Sequence, residues 1–528
     1  MANTPHDHVH RLIRSMSRAE KRYFKLYTSR HVVAGHSNHR TLFDAIAAMD
    51  TYDEAALLKR FAGEAFTHRF PITKRRLYEA ILASLDAFHT ENDPDARLRR
   101  MLHQADLLYA RTLYADAARM LRSARQLARQ LDRQTVLLDV LERERRMVER
   151  ANYTGNAAEE VERIAMDAAS LREEIDQVEQ LWTLKSRSFM LLYREGHARG
   201  EAQAQALRSL LSHPLLQDPG RLRTAKARFL HHHVRSVVAF ALGDLATCEA
   251  HLAINHELLR DAEELFHNEP NLLYGVLSNR IYVLSRLGRT AESETLLKEF
   301  KMLPATLPQA PTPDLEVKVF ATGASLELAM LTRAGAFSKA VAKAPAIEER
   351  MQQYDAQLGT LRRAALHFQL AYAHLGAGQA DKALRHSHRQ LSEGSVDEGT
   401  EVYRFGLLLN LLILLDLGKK DLVAGAVRNA VRLLAGRGED LPVEQAILRM
   451  AQERAKARGP EADRDALERL REALTPLLQG PHEHAVHDHF DPLAWVEARL
   501  SGRPLEEVVS ARARASRPGE ERKGRRAA

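Results

Sequence analysis

The stretch LGDLATCEAHL, residues 242–252, decides the fold, because the rest of the chain repeats its pattern. An apolar helix end is followed by a tight turn and then by a helix that begins with small residues. The same pattern recurs as YADAARML (114–121), LGRTAESETLL (287–297) and AGQADKALRH (377–386). Self-similarity of this kind, with a period of roughly 34 to 45 residues, is typical of proteins in which each repeat is one helical hairpin.

Alignment of the turn residues predicts the positions of the hairpins. They are expected at 98–131, 134–175, 178–212, 222–260, 271–302, 314–352, 361–391, 400–435, 441–479 and 490–515. Each hairpin has an apolar face that only its neighbours can cover, so stacking stabilises the array. Aromatic residues make up only 6% of the chain, and Ala, Leu and Arg dominate, which favours helices over strands. The sequence therefore predicts an all-α fold, an α-solenoid without a sheet.

The spacing within the hairpins resembles that of the tetratricopeptide repeat. Small or apolar residues stand at that family's packing positions, and glycine stands at its turn. The matching residues are Ala105, Leu108, Tyr114, Ala117, Leu121, Ala124, Ile281, Leu284, Gly288, Leu297, Leu370, Ala371, Gly378, Ala383, Leu411, Leu414, Gly418 and Ala430. The family's tryptophan is missing and its closing proline mostly so, which makes this a degenerate version. The resemblance implies a right-handed superhelix with a concave groove.

In that family the first helix of each hairpin lines the groove. Carrying its groove positions onto this chain gives seven candidate partner-binding residues. They are His233, Phe240, Ser278, Asn279, Tyr282, Phe368 and Tyr372. Aromatic side chains and amides of this kind suit an extended or helical peptide. The alternative is that these side chains only pack between neighbouring helices.

Residues 1–92 lack the repeat and predict a small helical N-terminal domain. Helices are expected at 17–29, 38–49, 53–61 and 72–89, and Ser17 with Glu20 forms a capping-box pattern. The polar residues 6–10, rich in histidine, are expected to fray. The segment SMSRAEKRYFKLYTSRH, residues 15–31, resembles the start of uncharacterised bacterial tetratricopeptide proteins. Asn92 to Asp95 mark a boundary.

The repeat region is expected in two halves, 98–302 and 316–515. Between them, residues 303–315 carry Pro304, Pro308, Pro311 and Pro313. Prolines interrupt a helix, so this segment predicts either a hinge or a long surface loop. Residues 516–528 are basic, lack apolar anchors and are expected to be disordered.

No catalytic, cofactor or metal site is predicted. Cys248, the only cysteine, stands where the repeat needs a small packing residue. His482, His484, His487 and His489 could ligate a metal, but nothing in the sequence fixes their geometry, so solvated side chains are the favoured interpretation. Residues 231–233 are three histidines on one helix, whose side chains diverge by about 100° per residue and cannot chelate together.

The leading hypothesis is a non-enzymatic scaffold that binds a protein or peptide along the groove. The alternative is a transcriptional regulator whose N-terminal domain binds DNA through Lys74, Arg75 and Arg76 and whose array senses a peptide. The net charge of +7 comes from 77 basic and 70 acidic residues, a small excess that favours nucleic acid only weakly. An enzyme with an unfamiliar site is a third possibility.

The expected location is the cytoplasm. A single cysteine fits a reducing compartment, and the N-terminus has no apolar segment of the kind that a secretory signal needs. The most apolar run, residues 407–415, is far shorter than the roughly 18 residues that span a membrane. No membrane partner is therefore expected.

Overall fold

The structure is a computed structural model of the chain. It describes residues 7–30, 38–90, 93–195, 197–198, 200–266, 268–306, 313–355, 357–392, 401–435, 442–457, 459–478 and 489–515. Throughout these ranges the regular structure is helical and no strand occurs, which confirms the predicted all-α class. None of the helices in the described ranges is both long enough and apolar enough to cross a membrane.

Contacts divide the chain into two compact units, Met1–Arg172 and Glu173–Ala528. The described residues of the first unit form eight helices, a 3-10 helix at Ala65–Arg69 and the beginning of a ninth helix. In order they are α1 (His8–Ser15), α2 (Arg18–Arg30), α3 (Asn38–Ala47), α4 (Glu54–Arg60), α5 (Phe70–Thr90), α6 (Pro94–Ala110), α7 (Tyr114–Gln130), α8 (Gln134–Arg150) and α9 (Ala157–Glu195). The unit boundary falls within α9.

The second unit continues with the rest of α9 and seventeen further helices in its described residues, besides a 3-10 turn at Pro219–Arg221. They are α10 (Glu201–Leu210), α11 (Pro214–Gln217), α12 (Ala225–Ala241), α13 (Leu245–Asp261), α14 (Glu263–Phe266), α15 (Pro270–Arg286), α16 (Thr290–Thr306), α17 (Pro313–Arg333), α18 (Phe337–Gln353), α19 (Thr360–Gly376), α20 (Ala380–Leu391), α21 (Glu401–Asp416), α22 (Lys420–Ala435), α23 (Pro442–Lys456), α24 (Pro460–Leu477), α25 (Pro492–Ser501) and α26 (Leu505–Ala515). From α15 to α23, each odd-numbered helix contacts the next odd-numbered helix as well as its own hairpin partner.

The predicted capping box at the start of α2 is confirmed. The backbone N–H of Ser17 donates to Glu20 Oε2 at 2.6 Å, and the N–H of Glu20 donates to Ser17 Oγ at 3.2 Å. Helix α1, in contrast, occupies a segment that was expected to fray. Its Val9 and Ile13 lie four residues apart on one face and are buried, so packing outweighs the polar character of the segment.

Several hairpin turns of the second unit form at glycine, whereas the turns after α6 and α7 use Thr112 and Asp132. Gly243, Gly288, Gly378 and Gly418 all have φ between +65° and +78°, the left-handed region that a side chain disfavours. After Gly243 the N–H of Asp244 donates to Ala239 O at 2.9 Å, which closes the end of α12. Turn glycines thus both end one helix and direct the chain into the next.

The third predicted hairpin, 178–212, is wrong. Helix α9 runs without interruption from Ala157 to Glu195, through the expected boundary near residue 176. The predicted hairpin end at residue 302 is also too early, because α16 continues to Thr306 and Pro304 lies in its last turn. There its missing N–H costs one hydrogen bond just before the helix ends. Residues 307–312, and with them the hinge hypothesis, lie outside the described residues, as does the tail 516–528.

The repeat positions form the core. Ala117, Ala124, Ile281, Leu411 and Ala430 are all fully buried. Their small or branched side chains allow neighbouring helices to approach closely, as the pattern predicts. In the second unit the largest apolar cluster extends from Phe337 in α18 to Val509 in α26.

Candidate functional site

His233 lies on α12 between two aromatic rings. Its imidazole centroid is 5.4 Å from that of Phe189 and 5.6 Å from that of Phe229. Its Nδ1 atom is buried without a hydrogen-bond partner. Burial lowers the pKa of His233 to about 4, so the ring is neutral at physiological pH. The neutral ring of His233 therefore packs against α9 through Phe189.

Phe240 and Tyr282 extend this set of ring contacts onto α15. Their centroids are 5.8 Å apart, and the ring of His197 lies 4.6 Å from that of Phe240. The Arg333 guanidinium is 6.0 Å from the Tyr282 centroid. Three of the seven predicted groove residues, His233, Phe240 and Tyr282, thus lie half-buried on the adjoining helices α12 and α15.

The other two candidates on α15 have different surroundings. Asn279 is exposed and available to a partner. Ser278 is buried, and its hydroxyl donates to Gly275 O at 3.1 Å within its own helix. A hydroxyl that is satisfied inside the helix offers nothing to a ligand.

Phe368 and Tyr372 on α19 lie beneath the chain's own C-terminal segment. They are only 1% and 5% exposed. The ring of His489 is 5.7 Å from that of Phe368, and the backbone N–H of Asp491 donates to Tyr372 Oη at 3.2 Å. Phe490 packs against Tyr372 as well, with centroids 6.2 Å apart. Both residues therefore pack within the protein, as the alternative interpretation of the groove residues expected.

The sequence did not reveal an exposed aromatic face on α9. Trp182, Met190 and Tyr193 are 53%, 51% and 81% exposed. They and Phe189 fall within an arc of about 100° on a helix with 3.6 residues per turn. Phe189 stacks on Tyr193 with centroids 5.5 Å apart and also contacts His233. This α9 aromatic face, made by Trp182, Phe189, Met190 and Tyr193, is joined through Phe189 to the predicted groove residue His233.

Exposed tryptophan, tyrosine and methionine are costly to leave in water and are enriched where proteins bind one another. The chain has two tryptophans. Trp495 is 1% exposed and donates its indole N–H to Asp416 at 3.3 Å, whereas Trp182 faces solvent. Composition alone cannot distinguish a core tryptophan from an exposed one.

The basic residues of the DNA-binding alternative differ in accessibility. Lys74 is 7% exposed, forms an ion pair with Glu54 and donates to Tyr52 Oη at 3.2 Å. Arg75 is exposed and pairs with Glu79 at 2.8 Å. Arg76 is exposed. Lys74 is therefore not positioned to reach a phosphate. The side chains of Arg75 and Arg76 face solvent and could reach one.

The histidines and the cysteine take structural positions. His232 pairs with His251 on α13, with their Nδ1 atoms 2.9 Å apart, and its ring also contacts that of His231 edge-on, with centroids 4.8 Å apart. Cys248 is 2% exposed and packs with Leu252 and Val283. Among the described residues no group of three His, Cys, Asp or Glu side chains could hold a metal ion. Of the predicted cluster at 482–489, only His489 is described; it stacks on Phe405.

No protein-family model matches the sequence, and no curated protein is significantly similar to it.

Proposed function

We propose that the chain is a non-enzymatic scaffold that binds a protein or peptide through the second unit. The observation that supports this most strongly is the α9 aromatic face, where Trp182 and Tyr193 are more than half exposed. Large aromatic residues supply most of the binding energy in protein interfaces. The half-buried Phe240 and Tyr282, with the exposed Asn279, extend the candidate surface along α12 and α15.

We further propose that the hairpins form a degenerate tetratricopeptide-like solenoid. Three features support this: glycine at the hairpin turns, buried small residues at the repeat positions, and contacts between successive odd-numbered helices. In such an array the first helices present a continuous surface to a partner. The DNA-binding alternative is less favoured, since Lys74 is buried in an ion pair.

A site-specific crosslinking experiment tests the proposed function. A photoreactive amino acid replaces Met190 in the full-length chain, and a matched variant carries it at Leu422, which is 54% exposed on α22. Expression in the native cell, irradiation and mass spectrometry then identify crosslinked proteins. The proposal expects a partner that is captured from position 190 and not from position 422. Identical products from both positions, or none from position 190, contradict it. If the only crosslinks join two copies of the chain, the surface mediates self-association and does not bind a separate partner.

A further inference from the structure

The second unit contains a cavity of about 350 Å³ whose wall includes no residue of the α9 aromatic face. Its walls come from α15, α17 and α19 on one side and from residues 489–513 on the other. Cavities of this volume fall in the range that proteins use for small ligands. Three side chains in the wall, Arg333, Gln369 and Tyr372, have hydrogen-bonding capacity that the described part of the chain does not use.

Arg333 brings to the cavity a positive charge that no carboxylate of the described residues balances. Its Nη1 donates to Ser285 Oγ at 2.7 Å, and its guanidinium lies against the Tyr282 ring. No carboxylate among the described residues pairs with it. Burial lowers the pKa of Arg333 to about 10, so it stays charged at neutral pH. A guanidinium carries five N–H donors, and most of those of Arg333 are therefore unused.

Gln369 adds a hydrogen-bond acceptor to the cavity wall, and Tyr372 adds a hydrogen-bond donor. Gln369 Oε1 is buried and has no hydrogen-bond partner. The Tyr372 hydroxyl accepts from the Asp491 N–H, but no acceptor for its own proton is found among the described residues. Leaving a buried polar atom unpaired destabilises the folded protein. A ligand that satisfied these atoms would remove that destabilisation.

The remaining charges of the cavity wall are partly balanced. Asp491 forms an ion pair with Arg512 at 3.3 Å and also accepts from the Ala494 N–H at 2.9 Å. Arg512 also pairs with Glu497 at 3.0 Å, so two carboxylates balance its charge. The charge of Arg333 therefore favours an anionic ligand.

We propose that this cavity binds a small carboxylate that carries a neighbouring N–H group, such as an N-acylated amino acid. The carboxylate accepts from Arg333 and Tyr372, and the N–H donates to Gln369 Oε1. A guanidinium matches a carboxylate with two parallel hydrogen bonds, and charged hydrogen bonds of this kind are the strong ones. The chemistry is shared by a free small acid and by the C-terminal residue of a peptide.

Binding would also fix the C-terminal segment. His489, Phe490, Asp491 and Arg512 form part of the wall, so a ligand in the cavity contacts elements more than a hundred residues apart in sequence. Any ligand that binds only the folded state raises its stability. This inference does not depend on partner binding at α9.

Calorimetric titration of the full-length chain with chosen probes tests the proposal. N-acetylglycine and N-acetylleucine carry both groups, N-acetylglycinamide lacks the carboxylate, and acetate lacks the N–H. We expect the two acids to bind at one site and the amide to bind at least tenfold more weakly. The tripeptide N-acetyl-Ala-Ala-Ala, with a free or an amidated C-terminus, distinguishes the C-terminus of a peptide from a free small acid as the source of the carboxylate. Binding of the free-acid tripeptide alone identifies a peptide terminus, whereas binding of the small acids identifies a free ligand.

Variants assign the binding to the cavity. Arg333→Gln should weaken binding of the acids at least tenfold, while the control Arg471→Gln, at an exposed position, should leave it unchanged. Gln369→Ala should weaken the binding of N-acetylglycine and leave the binding of acetate unaffected. This second variant keeps the test decisive if Arg333→Gln does not fold. The proposal is overturned if no carboxylate binds, if the amide binds equally well, or if neither cavity variant changes the affinity.

Discussion

At the scale of single residues, Cys248 shows how the repeat determines chemistry. It stands on the packing face of α13, 2% exposed, among apolar side chains. Burial raises the pKa of its thiol to about 12, with smaller contributions from Glu249 and Asp244. The reactive form of cysteine is the thiolate, so this side chain is inert in the folded protein. The position of Cys248 in the repeat therefore predicted both that its side chain is buried and that it serves in packing.

Because Cys248 is the only cysteine, its reactivity can be measured without interference. We expect less than stoichiometric labelling by 5,5′-dithiobis(2-nitrobenzoic acid) at neutral pH in the native chain and complete labelling in denaturant. The absorbance of the released thiolate measures both. Rapid full labelling of the native protein would show that the site is accessible.

Two helical glycines form a matched pair for a second prediction. A Cβ at Gly376 would lie 2.0 Å from the Phe337 ring, whereas at Gly425 the nearest atom is 3.9 Å away. Gly376→Ala should therefore lower the free energy of unfolding by about 1–3 kcal/mol through overpacking. Gly425→Ala should raise it by about 0.5–1 kcal/mol, because alanine favours the helix. Denaturant titration followed by circular dichroism measures both, and equal effects would contradict the packing of α18 against α19.

At the scale of helices, the sequence predicts starts and turns better than lengths. The capping box at Ser17 and the turn glycines are local signals, and both are confirmed. The break expected near residue 176 is wrong because the repeat period predicts a helix end in a stretch that contains no helix-breaking residue. Residues 157–195 contain neither glycine nor proline, and α9 runs through all of them. The α9 aromatic face lies after this position, at residues 182–193, and the repeat pattern does not show that these side chains are exposed.

Helix pairs in the second unit are joined by buried histidines, which predicts acid sensitivity. His367 on α19 and His386 on α20 have Nδ1 atoms 3.1 Å apart. Burial lowers the pKa of His367 to about 4 and that of His386 to about 3. The unfolded chain takes up these protons near pH 6.5 and the folded chain only near pH 3–4. Stability should therefore be complete above about pH 6.5 and decline as the pH falls towards 4.

Thermal unfolding measured across this pH range tests the expectation. The Tm should fall with acidification, and His386→Gln should make that fall shallower because the variant removes one site of proton uptake. His388→Gln, at an exposed position two residues away, is the control and should keep the wild-type slope. A slope in His386→Gln as steep as in the wild type would contradict the role of the buried pair.

At the scale of the molecule, contacts between distant segments determine which predicted residues stay available. Tyr372 and Asp491 are 119 residues apart, yet their hydrogen bond places the C-terminal segment over α19. Ser338 Oγ donates to Glu506 at 2.6 Å and adds a contact between α18 and α26. Periodicity identifies a helix face but does not show which later segment packs on it. Tyr372→Ala would therefore disturb the core, so Trp182 and Tyr193 are the better sites for testing partner binding.

The most direct test of partner binding is the affinity of the full-length chain for the protein captured by crosslinking at position 190. The account predicts that Trp182→Ala with Tyr193→Ala weakens this affinity at least tenfold, since truncating aromatic anchors costs about 2 kcal/mol or more. Leu361→Ala with Leu422→Ala removes side chains of similar exposure, 53% and 54%, and should leave the affinity unchanged. An unchanged affinity in the aromatic double variant, with unaltered helical content, would contradict the assignment of the binding surface to α9.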